Sequence, residues 1–122
     1  MRLPPEDPKR EQRITYEIVV DAYGPEERAM GWYYYLEEHL HFPFRAKCIK
    51  ARPISPLRKG EEVTVTGLAP DDDCPGGMFV IIEWADRAFG VPLAQLEGIR
   101  VDKETKQAIA DWHYWVKQGR QF

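Results

Sequence analysis

Three aspartates stand side by side at Asp71, Asp72 and Asp73, in the stretch "APDDDCPGG". Adjacent carboxylates repel one another, and either a divalent cation or plain hydration relieves the strain. Ligation by oxygen alone is the chemistry of Ca²⁺, which takes about 6–8 oxygens from carboxylates, carbonyls and water. An EF-hand register fails. A loop begun at Asp72 puts Gly77 sixth and Glu83 twelfth, but leaves Cys74 and Gly76 at the third and fifth positions. A loop begun at Asp71 leaves Ile82 where the bidentate Glu belongs. Read from residues alone, a hydrated hairpin tip is the plainer account, because turns recruit Asp and Gly.

A second acidic pair, Glu37 and Glu38, falls in "LEEHL" at the expected end of a helix. The helix dipole disfavours negative charge there by about 0.3–1 kcal/mol, which solvent or a cation offsets. His39 and His41 flank Leu40, but His-x-His without a third ligand is a weak zinc pattern, and ordinary histidines are the better reading. Cys48 and Cys74 show no CxxC spacing, and reduced thiols in a cytoplasm are expected. No GxSxG, Walker or HExxH motif occurs, and no carboxylate pair is set up for acid–base work, so the sequence makes no case for an enzyme.

Every charged residue from Arg45 to Lys59 is basic. The nearby aromatics are few, and the net charge of −3 argues against nucleic-acid binding. No apolar run approaches the roughly 20 residues that span a bilayer, and the start "MRLPPEDPKREQR" lacks an export signal. A cytoplasmic protein with no membrane partner is expected.

At 122 residues and 43% hydrophobic content the chain suits one domain with one core. Residues 1–12, rich in proline and charge, predict a flexible tail, and 13–122 a single domain. "ITYEIVV" alternates Ile14, Tyr16, Ile18 and Val20, which predicts a strand. "YGPEERAMGWYYYLEEHL" predicts a helix, with Pro25 in its first turn, Ala29, Trp32, Tyr33, Leu36 and Leu40 on its apolar stripe, and Pro43 beyond its end. The tyrosines after Trp32 cannot all reach one core.

Strands follow in "FRAKCIKA", "EEVTVTGL", "MFVIIEW" and "AFGVPL", the third reading as buried on both faces, with a short helical turn in "AQLEGI". Asp102 caps a last helix whose stripe is Ile109, Trp112 and Val116 and whose stop is Gly119. The fold expected is α+β: a small SH3-like β-barrel with an N-terminal strand-helix element and a C-terminal helix, since closure removes exposed edges.

"VDAYGPEERAMGWYYYLE", "FPFRAKC" and "VPLAQLE" carry a resemblance to the cyanobacterial calcium-binding protein family of the CcbP type, over roughly residues 17 to 99. The tail and the last helix fall outside that span. The resemblance implies a small soluble protein that binds Ca²⁺ through acidic side chains without an EF-hand and buffers or senses the free ion. It implies metal ligands at Glu37 and Glu38, a position where relatives can carry Asp, and at Asp71, Asp72 and Asp73 in a loop that is acidic but variable. The competing expectation is an SH3-like adaptor that presents Tyr34, Tyr35, Trp112 or Trp115 to a protein partner.

Overall fold

A computed structural model describes residues 7–20, 24–51, 56–69 and 77–118. The chain enters through α1 (Pro8–Arg13). Asp7 Oδ1 accepts from the backbone N–H groups of Lys9 and Arg10 at 3.0 and 3.2 Å, and Pro8 occupies the first turn, where an N–H would lack a partner. The helix runs on into a π-helical turn, Ile14–Ile18. The strand expected at 14–20 is therefore absent, and the second half of the expected tail is helical from Pro8. Only Ile14 and Ile18 of the alternating set are buried, while Tyr16 and Val20 are 68% and 51% exposed. Any alternating run contains an i, i+4 pair, so period two does not exclude a helix. The upstream Asp-Pro cap decides the matter.

Next comes α2 (Pro25–His39), which starts after an extended Gly24. Its Gly31 lies so close to the preceding turn that an added Cβ would sit 2.2 Å from the Ile18 carbonyl oxygen. Only glycine allows the two backbones this approach. Trp32, Leu36 and Leu40 are buried as the stripe predicts, and Tyr35 joins them.

Five strands form one antiparallel sheet: β1 (Phe44–Cys48), β2 (Glu62–Leu68), β3 (Phe79–Trp84), β4 (Arg87–Pro92) and β5 (Leu96–Ile99). Their order is β4-β3-β2-β1-β5. Phe44, Ala46 and Cys48 point inward from β1 while Arg45 and Lys47 face solvent, as period two requires. Cys48 is buried and free; Cys74 lies outside the described residues. β3 is less buried than its apolar run suggested, with Val80 and Ile82 inside but Phe79 and Ile81 half-buried. Ala85 and Asp86, both at positive φ (47° and 66°), form the two-residue turn into β4. A 3₁₀ turn, Leu93–Gln95, stands where "AQLEGI" predicted a helical turn, but most of that stretch is β5. The sheet stays open, with β4 and β5 as unpaired edges, so the α+β class holds and a closed barrel is not formed among the described residues.

Across the sheet lies α3 (Lys103–Lys117), capped by Asp102, whose Oδ1 accepts from Thr105 N–H at 2.7 Å. Ile109 and Trp112 are buried as expected. Val116 is 38% exposed, however, and Trp115 takes its place inside. The buried arc also takes in Ala108, because α3 meets α2 on that side. Trp32 is the hub of the seam, with ring centroids 5.0 Å from Trp112, 5.5 Å from Trp115 and 5.9 Å from Tyr35.

One polar group is sealed into this seam. Asp111, fully buried, accepts from Arg10 Nη1 at 2.7 Å, Arg13 Nε and Nη2 at 2.8 Å each, and Tyr35 Oη at 2.7 Å. Its hydrogen bonds hold the Arg13 guanidinium above its ordinary pKa. Burial, and then the bond to Asp111, push the Tyr35 phenol up as well. Asp111→Ala is expected to cost about 3 kcal/mol, since removing one partner of a buried pair strands the others. Urea denaturation measures the loss, and hydrogen exchange should show the amides of α1 losing protection first. Gly31→Ala should cost about 1–3 kcal/mol in the same denaturation measurement, because the new methyl meets rigid backbone.

Candidate functional site

Leu40, extended at ψ 121°, ends α2 with its N–H bonded to the Leu36 carbonyl. This termination leaves Glu37 and Glu38 exposed on the last turn. Glu38 opens onto a cleft of about 610 Å³ between α2, the π-helical turn and α3. Glu17 lines the same cleft, along with Arg13, Tyr34 and Gln107. Two carboxylates thus share one solvent-filled depression. The Arg13 guanidinium beside them is already held by Asp111. Glu17 escaped the sequence reading because it was assigned to a strand; the Asp7-Pro8 cap was the available signal that it belongs to a helical segment.

Asp71, Asp72 and Asp73 lie outside the described residues. The flanks of their loop are fixed: Ala69 N–H donates to the Phe79 carbonyl at 3.0 Å, and Leu93 N–H to the Met78 carbonyl at 2.9 Å. These bonds tie the loop base to the 3₁₀ turn, beside the second half of α3, where His113 Nε2 meets the Leu96 carbonyl at 2.8 Å. Glu38 instead faces Gln107, on another side of α3. Among the described residues, no group of three or more His, Cys, Asp or Glu is arranged to hold a metal ion. What α2 contributes is a pair of exposed hard oxygen donors. Their chemistry suits Ca²⁺, but they do not close a shell by themselves.

His39 and His41 are spoken for by carboxylates. His39 Nδ1 lies 2.5 Å from Glu104 Oε1. His41 Nδ1 lies 2.7 Å from Asp102 Oδ2, its Nε2 is 3.3 Å from Glu104 Oε2, and its backbone N–H donates to Thr105 Oγ1 at 3.0 Å. The end of α2 is thereby latched to the start of α3. Of the basic strip, Arg45 donates to Thr64 Oγ1 at 2.9 Å and approaches Glu62 at 3.8 Å, while Lys47 stands in register with Glu62 and Glu97. Acids therefore interleave with the bases of β1. Of the four aromatics the adaptor reading would display, Tyr35, Trp112 and Trp115 are buried and Tyr34, 59% exposed, faces solvent.

The open sheet with a helix layer, and exposed carboxylates at the end of α2, describe a small α+β protein. A family model of the CcbP type, described as calcium binding, matches residues 12–116. The chain belongs to this calcium-binding CcbP family. The match takes in α3, which the sequence resemblance had left out. Among solved structures, Anabaena CcbP is 44% identical, with all of both chains covered and a TM-score of 0.88. A calcium binding protein solved in the calcium-binding form is 45% identical, with 95% of each chain covered and a TM-score of 0.80. Among curated proteins, no match to this chain is found.

The latch has a defined pH response. The bond to Asp102 raises the His41 pKa above its ordinary 6.5. The Thr105 amide, and then His41, lower that of Asp102 below 3.8. A raised histidine contributes stability that is fully present below 6.5 and is lost as pH climbs through the folded-state value. A depressed carboxylate contributes stability that is present above 3.8 and is lost as pH falls through its folded-state value. The latch is thus complete between 3.8 and 6.5. An NMR titration should place the His41 midpoint above 6.5, and Asp102→Asn, which keeps the helix cap, should return it toward that value. A midpoint indifferent to the substitution removes the pair.

Proposed function

We propose that this protein binds Ca²⁺ through clustered carboxylates and serves as a cytoplasmic buffer or sensor of the free ion, as a binding protein without catalysis. The observation that carries the reading is the 45% identity, over 95% of each chain, to a protein solved in its calcium-binding form. Glu38 is the central side chain of one site, with Glu37 beside it, and Glu17 is added by the shared cleft. Asp71, Asp72 and Asp73 offer the second cluster. Backbone carbonyls and water complete each shell, as Ca²⁺ permits.

The fixed base of the aspartate loop and the Glu38 cleft have different neighbours, and this reading takes separate ions over one shared pocket. The loop base is tied to the 3₁₀ turn, whereas Glu38 shares its cleft with Arg13 and Gln107. The finer description of the sheet as SH3-like also belongs to this proposal; it is supported by the strand order and by the 3₁₀ turn between β4 and β5.

Calorimetric titration with Ca²⁺ tests both points. Glu38→Ala should weaken one binding step by about tenfold or more, equivalent to about 1.4 kcal/mol. The triple change of Asp71, Asp72 and Asp73 to Asn should weaken the other. The combined variant should show additive losses, as independent sites do. Unchanged affinity in Glu38→Ala takes that carboxylate out of the site, and strong non-additivity restores a single pocket.

A further inference from the structure

On the side of α3 away from Glu38, a second cleft of about 420 Å³ runs between α3 and β5. Its bed is apolar: Ile109 is buried, and Ile49, Val101 and Ala110 are half-buried along it. Gly98 sets the depth. A Cβ there would meet Val101 Cγ2 at 2.8 Å and Ile109 Cδ1 at 3.4 Å, so the glycine lets these side chains settle against β5.

The rim is cationic although the chain as a whole carries −3. Among the described residues Arg10, Lys106 and Lys117 line the cleft against a single acid, Glu97. Arg10 is already answered by Asp111 and Asp7, and Glu97 stands in register with Lys47 across β1 and β5. No carboxylate pairs with the Lys106 or Lys117 ammonium among the described residues. The two lysines are 11 residues apart in α3. That is close to three full turns, or about 16 Å along one face. Burial lowers the pKa of His113, so its ring stays neutral and adds no charge.

An apolar trough of this size with an unanswered cation at each end meets the usual description of a small-molecule site: a largely apolar lining with a few placed polar groups, in the range of about 300–1,000 Å³. We propose that this groove binds a small amphipathic carboxylate. The hydrocarbon part lies over Ile49, Val101, Ile109 and Ala110, and the carboxylate meets one of the two lysines. Long lysine stems suit this arrangement, since they cover apolar surface while their ammonium groups remain at the rim. Among the described residues neither Glu17, Glu37 nor Glu38 lines it, so the proposal does not call on the Glu38 site.

Decanoate, titrated into the full chain with a calcium chelator present, is the probe. Amide NMR should show saturable shifts at Gly98, Ile109 and Ala110. Lys106→Glu or Lys117→Glu, both at exposed positions, should weaken binding about tenfold or more, the usual worth of a hydrogen bond to a charged group. Ala110→Phe, which fills the trough, should abolish it, and uncharged decanol should bind at least about tenfold more weakly than decanoate. Shifts that do not saturate or that map elsewhere, or affinity unchanged from the parent chain in both lysine variants, overturn the site, as does equal binding of decanol. None of these failures touches the calcium titration, which reads other residues.

Discussion

The architecture depends on a buried carboxylate. Asp111 lies on the face of α3 that meets α2, where a lone charge would be too costly to keep. It is tolerated because two guanidinium groups from α1 and one phenol from α2 saturate its oxygens. Arg13 makes two of these bonds, a planar match that lysine could not reproduce. The same bonds fix three helices to one another, so a group that adds little net stability as an ion pair acts as a register pin.

Several surface features follow from that pin. With α1 and the π-helical turn held against α2, the Ile18 carbonyl passes directly over Gly31, and Glu17 is brought to the cleft that Glu38 also lines. On the far side, Arg10 is held at the edge of the groove under β5. The helix layer therefore presents two chemically opposite depressions, one edged by carboxylates and one by lysines. α3 contributes Gln107 to the first and Lys106, Ala110 and Lys117 to the second.

The histidine latch acts at one end of the same layer. His41 and Asp102 are both exposed, so their bond contributes little energy on its own. Its role is geometric, because it joins the last residues of α2 to the capping residue of α3 just where Glu37 and Glu38 are displayed. The position of those two carboxylates therefore depends on contacts made by residues more than sixty positions away.

The sequence by itself determined β1 to β4, both long helices and the cap at Asp102, because these rest on local period and local hydrogen bonds, while β5 was read as a helical turn. It also marked Glu37, Glu38 and the aspartate run as the residues worth weighing for a hard cation, and its motifs carried the family. It misassigned 14–20, since alternation holds an i, i+4 pair within it and the deciding signal, the Asp7-Pro8 cap, lies upstream of the run. It put Val116 on the buried stripe, where Trp115 in fact lies, because the centre of a helix's buried arc is set by the partner helix, here through Trp32. Only the tertiary structure decided that Glu17 joins Glu38, that Asp111 is buried and paired, and that the sheet stays open. Each of these is a contact between distant segments, and no local pattern encodes which distant side chain will arrive.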